Sequence, residues 1–120
     1  MRVMIVDDNA GMREMVRDAS CTDEDVVLEC PDGETAVNSY APFAPDVVLL
    51  DIELKELDGF MAAERIYAID PSARIVFVTS HNTSAFRLKA KRLHAAGFVS
   101  KDNVGDVVHL LRGADGASSV

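Results

Sequence analysis

The feature that most constrains the fold of this chain is an alternation of two hydrophobic patterns. Short, near-continuous apolar runs rich in β-branched residues recur between longer segments with helical spacing. The runs are Val3–Val6, Val26–Leu28, Val47–Leu50, Ile75–Val78 and the weaker pair Phe98–Val99. Apolar runs without polar alternation predict strands that are covered on both faces, as in a parallel sheet flanked by helices.

Five amphipathic stripes, with apolar residues three or four positions apart, follow these runs. They are Met12/Met15/Val16/Ala19, then Ala36/Val37/Tyr40/Phe43, then Phe60/Ala63/Ile66/Tyr67 ended by Pro71, then Phe86/Ala90/Leu93 capped by Gly97, and Val104/Val107/Val108/Leu111 ended near Gly113. Such stripes usually pack into a core, and we interpret all five in that way rather than as cofactor contacts.

The resulting order βαβαβαβαβα predicts an α/β fold with helices on both faces of a parallel sheet. Five strands in a chain of this length fit a doubly wound, flavodoxin-like sheet with strand order 2-1-3-4-5 and five helices. We predict one domain over residues 1–113. The small, polar residues 114–120 are expected to form a flexible C-terminal tail.

Bulk properties exclude several classes of protein. No apolar run approaches the length needed to span a bilayer, and residues 1–6 look like a strand rather than a signal peptide, so we expect a cytoplasmic protein. In that compartment Cys21 and Cys30 should be reduced, packed thiols. The net charge of −8 argues against nucleic-acid binding by this chain, because phosphate contacts need Lys and Arg.

Polar residues end four of the five apolar runs. They are Asp7–Asp8, Asp51, Thr79–Ser80 and Ser100–Lys101. Ligands of doubly wound sheets bind at the carboxyl ends of the strands, so these side chains are predicted to converge. Three carboxylates at close range need a cation, and Mg²⁺ with oxygen ligands is the natural one. With Lys101 the charges nearly balance, and such a site suits a phosphoryl group received by a carboxylate nucleophile.

Each of these signals has an ordinary explanation when taken alone. An Asp or Thr-Ser after a strand is often a turn or a helix cap, and a Lys there is usually a surface residue. The prediction depends on their occurrence together at one edge of the sheet.

Together the motifs resemble the signature of response-regulator receiver domains over about residues 2–112. They are Val-Asp-Asp-Asn (6–9), Leu-Leu-Asp-Ile-Glu-Leu (49–54), Asp-Gly (58–59), Val-Thr-Ser (78–80) and Gly-Phe-Val-Ser-Lys (97–101). The resemblance implies that Asp51 is the phospho-acceptor, that Asp8 binds the metal directly and that Asp7 orients a metal-bound water. It also implies that the backbone carbonyl of Glu53 is a metal ligand and that Thr79 and Lys101 contact the phosphoryl group. Phe98 and Thr79 would be the switch residues, and the small Ser80 would leave room for the phosphoryl donor.

The resemblance also implies partners and an output. A histidine kinase or phosphotransfer protein would donate the phosphoryl group with Mg²⁺, and the face formed by helix 4, strand 5 and helix 5 would change its affinity for an output partner or a second copy of the chain. Lys89, Lys91, Arg92 and Arg112 are predicted on that face. Receivers are not enzymes beyond assisting their own phosphotransfer and autodephosphorylation. The chain is interpreted as a stand-alone receiver or as a fragment of a larger regulator, for which a DNA-binding regulator is one candidate.

Two positions are predicted to tune the site, namely Glu53 and His81, although a solvated acid and a surface histidine are their commoner roles. His94 and His109 are expected to be ordinary helix residues. The sequence departs from the family pattern at Lys55, where proline is frequent, and at Asp102, where a cis proline commonly follows the lysine. Because a non-proline cis bond is costly, we predict a trans Lys101–Asp102 peptide.

Two alternatives use related chemistry. A haloacid-dehalogenase-type, Mg²⁺-dependent phosphohydrolase would need an Asp-x-Asp motif on the first strand and a cap domain, whereas Asp7 and Asp8 are adjacent and the chain has 120 residues. A flavin-binding module would need a Ser/Thr/Gly-rich phosphate loop after the first strand, where these two acids would repel the phosphate.

Overall fold

Five parallel strands form one sheet in the order β2-β1-β3-β4-β5 in the computed structural model, which describes residues 1–113. The strands are β1 Arg2–Val6, β2 Val26–Cys30, β3 Val47–Leu50, β4 Ile75–Thr79 and β5 Gly97–Ser100. The predicted order is therefore confirmed, and each apolar run lies within a strand. Residues 114–120, for which we predicted a flexible tail, lie outside the described residues.

The helices alternate with the strands as predicted. They are α1 Ala10–Ser20, α2 Gly33–Phe43, α3 Gly59–Ile69, α4 Ser84–Arg92 and α5 Asp106–Val108. A 3₁₀ turn, Lys101–Asn103, precedes α5, and a π-helical turn, His109–Gly113, follows it. The first four helices begin at residues whose side chains accept a backbone N–H of the first turn, which stabilises each start; these caps are Asn9, Asp32, Asp58 and Thr83.

Alternate residues of the central strands pack into two separate cores, one on each face of the sheet. In β3, Val48 and Leu50 face the core formed with α2, α3 and α4, while Val47 and Leu49 face the core formed with α1 and α5. All four side chains are buried. Burial on both faces explains why the strands read as unbroken apolar runs.

The predicted stripe of α1 is only partly correct. Val16 is buried, but Met15 is 38% exposed and Ala19 is also on the surface. Ser20, four residues after Val16, is buried in their place, and its hydroxyl donates to the Val16 carbonyl. That internal hydrogen bond satisfies the hydroxyl and lets a polar residue occupy a core position.

The predicted end of α4 is wrong. Gly97 is the first residue of β5 rather than a helix cap, and α4 already ends at Arg92. The chain leaves the helix through His94, whose φ of 61° lies in the left-handed region that histidine adopts more readily than most residues. His94 is thus not the helix residue that we expected, whereas His109 does lie in the π-helical turn.

The structure also bears on the predictions for the two cysteines, the Lys101–Asp102 peptide and membrane-spanning segments. Neither Cys21 nor Cys30 forms a disulfide within the described residues, and burial raises the pKa of Cys30 to about 11, which keeps this thiol protonated and unreactive. No cis peptide bond occurs within residues 1–113, so the Lys101–Asp102 peptide is trans as predicted. None of the helices in this range is long and apolar enough to cross a membrane.

Candidate functional site

Three carboxylates converge at the carboxyl edge of the sheet. Asp7 and Asp8 follow β1, and Asp51 follows β3, which is hydrogen-bonded to β1 with Val6 opposite Leu50. One oxygen from each carboxylate can be chosen so that all three lie within 4.8 Å of one another. Asp7 and Asp51 are buried, with only 3% and 4% of their surface exposed, while Asp8 is open to solvent.

Lys101 reaches this cluster from the end of β5. Its Nζ lies 2.8 Å from Asp7 Oδ2 and 3.3 Å from Asp51 Oδ2, and only 11% of its side chain is exposed. One largely buried lysine thus contacts two of the three carboxylates. The convergence of residues from three strand ends, expected from the topology, is present in the structure.

The charges at the site are not balanced. Burial raises the pKa of Asp51 to about 6, and the repulsion of Asp7 adds to this effect, so together they outweigh the opposing influence of Lys101. Burial alone would lower the pKa of Lys101, but its contacts with Asp7 and Asp51 raise that pKa above the ordinary value. Because three carboxylates face one ammonium, the site retains excess negative charge that a further cation can neutralise.

The donor set fits a magnesium ion. It consists of carboxylate oxygens, the ligands that Mg²⁺ prefers, and the solvent-exposed Asp8 leaves room for the waters that this ion retains. Within residues 1–113 this is the group of three or more acids, histidines or cysteines close enough to hold a metal. The Glu53 N–H donates to Asp51 Oδ1 at 3.4 Å, so the Glu53 backbone adjoins the cluster; the ligand role of its carbonyl stays a prediction.

Thr79 occupies the strand end between Asp51 and Lys101 in the sheet. Its side chain is fully buried, and its Oγ1 accepts the backbone N–H of His81 at 3.0 Å. His81 Nδ1 in turn makes a close contact with Glu53 Oε1, and both side chains are about half exposed. The two predicted tuning residues therefore meet at the rim of the site, bridging the loops that follow β3 and β4.

Phe98, the predicted switch residue, lies on β5 with its ring half buried. The guanidinium of Arg87 lies 5.1 Å from the ring centroid, and Arg87 Nε donates to Asn82 Oδ1 at 2.6 Å. A cavity of about 270 Å³ opens beside the ring, and its walls are formed by Arg87, Ala90, Lys91, Ala95, Gly97 and Phe98. The cavity gives the face between α4 and β5 an apolar floor and a basic rim.

Two residues of the predicted basic cluster lie elsewhere. Arg92 lines a cavity together with Glu64 and Tyr67 of α3. The ammonium of Lys89 lies 4.8 Å from the ring centroid of Phe60 in α3, so this side chain packs on the α3 side of α4 rather than toward β5. The side chain of Arg112 is outside the described part of the chain. Of the four predicted cations, Lys91 lines the cavity beside Phe98.

The loop after β3 folds back closely onto the backbone of Asp51. A Cβ on Gly59 would lie 2.1 Å from the carbonyl oxygen of Asp51, so glycine is required there by the approach of the two backbones. Glu56 adopts a φ of 64°, which turns the loop one residue after Lys55. The Asp58 carboxylate then starts α3 by accepting the Met61 N–H at 2.9 Å.

Two residues at the site were not found by the sequence reasoning. Arg13 Nη1 donates to the backbone carbonyl of Asp7 at 2.6 Å, while its Nε donates to Glu29 Oε1 at 3.0 Å. The available signal was an arginine five positions after Asp8 together with an acid inside the second strand. This signal indicates a contact only when the pairing of β1 with β2, which places Glu29 opposite Ile5, is known.

Comparisons with known proteins agree with this geometry. A family profile described as "Response regulator receiver domain" matches residues 3–112. The chain is 35% identical over 108 residues to the chemotaxis protein CheY of Bacillus subtilis, covering 89% of this chain and 90% of that one. These matches favour a receiver over the phosphohydrolase and the flavin-binding alternatives.

Solved structures give the same result. The crystal structure of a LuxR-family two-component response regulator from Aurantimonas superposes with a TM-score of 0.82 at 34% identity, covering 90% of this chain and 79% of that chain. A CheY-like receiver domain from Methanospirillum hungatei gives 0.84 at 17% identity, with 93% and 90% covered, and at that identity it supports the fold alone.

Proposed function

The chain belongs to the response-regulator receiver family, and on this premise we propose that it is a phosphorylation-dependent switch in which Asp51 accepts the phosphoryl group. Receiver domains are signalling domains of two-component systems that interact with histidine kinases and output domains.

The observation that carries the proposal is the position of the buried Asp51 carboxylate, which lies close to both Lys101 and the more exposed Asp8. Asp51 is 4% exposed, and its Oδ2 lies 3.3 Å from Lys101 Nζ. A carboxylate in that position is shielded from bulk water yet adjoins the open side of the cluster at Asp8. This is the arrangement that a carboxylate nucleophile needs in order to attack a phosphoryl group that arrives from solvent.

The transfer itself has a simple balance of bonds. A carboxylate oxygen of Asp51 attacks phosphorus, the bond from phosphorus to the donor atom breaks, and the donor leaves with that electron pair. The donor atom is a histidine nitrogen in a kinase or phosphotransfer protein, or an oxygen in acetyl phosphate. Asp51 must be ionised to attack, and its pKa of about 6 leaves it largely ionised at pH 7.

Asp7, Asp8 and Asp51 would hold Mg²⁺ through their carboxylates, with the Glu53 backbone carbonyl as a further ligand. When bound, the ion supplies positive charge that neutralises the three acids and the phosphoryl oxygens. Asp8 is the open member of the set, whereas the buried Asp7 already accepts from the Asn9 N–H and from Lys101. We therefore expect Asp8 to contact the ion directly and Asp7 to orient its water.

Lys101 and Thr79 would contact the phosphoryl oxygens. Lys101 already neighbours Asp51, so it needs only a short shift to pair with a new anion. The Thr79 hydroxyl accepts a hydrogen bond from the His81 backbone, which leaves its own hydrogen free to be donated to the phosphoryl group. Glu53 and His81 meet at the rim, and we assign them the control of water access to the phosphoryl group.

The output follows from the movement of Thr79. As its hydroxyl turns toward the phosphoryl group, space opens beside β4 into which the half-buried ring of Phe98 can turn. That turn breaks the contact between the ring and Arg87, and it changes the cavity between α4 and β5. The occupant of this face is an output partner or a second copy of the chain, the latter giving a phosphorylation-dependent homodimer. We place this receiver domain at residues 1–113 and in the cytoplasm.

The test of the proposed function is the intact mass of the native chain and of Asp51→Asn after treatment with acetyl phosphate and Mg²⁺. We expect a gain of one phosphoryl group in the native chain, none in Asp51→Asn, and none when the divalent cation is chelated. Phosphorylation of Asp51→Asn at the native rate would refute the assignment of the acceptor.

The switch is tested separately with beryllofluoride, a mimic of the phosphoryl group. Size-exclusion chromatography with light scattering, or binding to an output partner, is compared with and without the mimic. A mimic-induced change that persists in both Thr79→Ala and Phe98→Ala would show that these residues do not couple the site to the output face.

A further inference from the structure

We infer that Arg13 is a positioning residue for the metal-binding turn, fixing the backbone from which the Asp7 and Asp8 carboxylates project. The inference rests on the proposed function, because it assumes that these acids hold Mg²⁺. It adds a residue of α1 that lies outside the acidic cluster and bonds to the main chain of Asp7 rather than to any carboxylate of the cluster.

The turn after β1 is held at several atoms. The Asp7 N–H donates to the Cys30 carbonyl at 3.1 Å, which continues the pairing of β1 with β2. The Asp7 Oδ1 accepts the Asn9 N–H at 2.9 Å, and Arg13 Nη1 donates to the Asp7 carbonyl at 2.6 Å. The peptide group between Asp7 and Asp8 is therefore fixed by Arg13, and this peptide sets the direction of the Asp8 side chain.

The position of Arg13 is set in turn by Glu29. Glu29 Oε1 accepts from Arg13 Nε at 3.0 Å, and the Arg13 side chain is only 16% exposed. Glu29 lies on β2 opposite Ile5 of β1, two residues before Asp7. The single guanidinium of Arg13 thus donates both to Glu29 on β2 and to the Asp7 carbonyl, and so joins the sheet to the turn.

Arg17 provides an internal control, because it shares the carboxylate but not the turn. Arg17 Nη1 lies 3.1 Å from Glu29 Oε2, and its side chain is 54% exposed. It is one helical turn further along α1 and has the same charge as Arg13. A variant of Arg17 therefore removes a cation and an ion pair with Glu29 while leaving the hydrogen bond to Asp7 in place.

Positioning and charge predict opposite signs for the loss of Arg13. If Arg13 acted only as a nearby cation, its removal would reduce repulsion and tighten Mg²⁺ binding. If it positions the turn, its removal weakens binding, because the carboxylates lose their preset arrangement. Arg13→Lys separates the two further, since lysine keeps the charge but cannot bridge Glu29 and the Asp7 carbonyl with a planar fork.

The experiment is a calorimetric titration of the full chain with Mg²⁺ alone, in the native protein and in Arg13→Gln, Arg13→Lys, Arg17→Gln and Asp8→Ala. We expect Arg13→Gln and Arg13→Lys both to lose about tenfold in affinity, the lower end of the range for residues that support metal ligands. Arg17→Gln should stay within about twofold of the native affinity, because exposed ion pairs contribute little.

A second readout reports the turn itself without metal. Amide exchange of Asn9, whose N–H donates to Asp7 Oδ1, should be faster in both Arg13 variants than in Arg17→Gln. If Arg13→Gln does not fold, Arg13→Lys still decides the test, because both the titration and the exchange measurement can be made on that variant.

The failure of this inference can be distinguished from the failure of the proposed function. If the native chain binds Mg²⁺ and Asp8→Ala does not, but both Arg13 variants bind as tightly as the native chain or more tightly, the positioning role is wrong and the metal site stands. If the native chain does not bind Mg²⁺ at all, the metal site falls, and this inference falls with it.

Discussion

The ammonium of Lys101 lies 2.8 Å from the carboxylate of Asp7, which connects the end of β5 to the end of β1 across the two strands between them. Neither side chain is more than slightly exposed. The contact therefore spans four of the five strands at the edge where the chemistry is proposed, and it makes the stability of the fold depend on the charge state of the site.

From this contact we predict that Lys101→Met destabilises the metal-free chain by about 3 kcal/mol, because it leaves two buried carboxylates without their counter-ion. Mg²⁺ should recover a larger share of the stability in the variant than in the native chain. Urea unfolding with and without Mg²⁺ measures both effects. Lys55→Met, which removes an exposed lysine from the adjacent loop, is the control and should show neither.

The raised pKa of Asp51 predicts an unusual pH dependence. Burial raises the pKa to about 6 in the folded state, against an ordinary value of 3.8, so the folded protein binds the proton more tightly than the unfolded chain. The ionised acid therefore destabilises the metal-free fold, a penalty that is absent below about pH 4 and complete above about pH 6. Asp51→Asn should remove a penalty of about 3 kcal/mol at pH 7.

The measurement for Asp51 is urea unfolding of the native chain and Asp51→Asn in the presence of a chelator, from pH 4 to pH 7. The stability gained by the asparagine variant should grow with pH across this range. A gain that stays constant with pH would mean that Asp51 titrates near its ordinary value and that its burial has been compensated.

Tyr40, which is buried, and Tyr67, which is partly buried, form a matched pair for the energetics of hydrogen bonding. The Tyr40 hydroxyl donates to Asp70 Oδ2 at 2.6 Å, whereas the Tyr67 hydroxyl is buried without a partner among the residues that the structure describes. Tyr40→Phe should cost about 1–2 kcal/mol, and Tyr67→Phe should be neutral or slightly stabilising, because only the first loses a bond.

The pH dependence of the tyrosine pair supplies its control. The hydrogen bond from Tyr40 is the main reason that the pKa of Asp70 lies below its ordinary value. A lowered carboxyl pKa contributes stability above the unfolded pKa and loses it as the pH falls. Thermal melts should therefore show the cost of Tyr40→Phe shrinking on acidification, while Tyr67→Phe shows no such trend. Equal costs for the two variants at pH 7 would contradict this account.

The close approach of the loop after β3 to the acceptor can be tested with glycines. Gly59→Ala places a Cβ 2.1 Å from the Asp51 carbonyl, so the backbone of the acceptor must shift. We expect a loss of about 2 kcal/mol or more, at the severe end for single substitutions, and slower phosphorylation. Gly105→Ala, where nothing lies within 4 Å of the new Cβ, is the control and should stabilise by about 0.5 kcal/mol. Similar melting temperatures for the two variants would refute the steric argument.

The sequence predicted the sheet well for a physical reason. Strands such as Val47–Leu50 are buried on both faces, so their composition alone distinguishes them from helices and loops. The parallel strand order also located the polar residues at one edge, because the carboxyl ends of parallel strands lie together. Asp7, Asp8, Asp51, Thr79 and Lys101 accordingly lie where the order 2-1-3-4-5 requires.

The wrong or missed predictions concern properties that the spacing of apolar residues does not report. The buried line of α1 runs through Ser20, whose hydroxyl is satisfied inside its own helix, so a polar residue took the place expected for Ala19. The end of α4 was placed at Gly97 because glycine favours the left-handed region, but His94 adopts that conformation first. Arg13 was missed because its partner Glu29 is set by the pairing of β1 with β2.

The most direct measurement of the central claim is the identification of the residue that carries the phosphoryl group. The chain is treated with acetyl phosphate and Mg²⁺ and then with borohydride, which reduces an aspartyl phosphate to homoserine, and its peptides are sequenced by mass spectrometry. The account predicts homoserine at position 51 and at no other acid, and none without the divalent cation. Homoserine at Asp7 or Asp8, or an unmodified Asp51 in a chain that has gained a phosphoryl group, would contradict it.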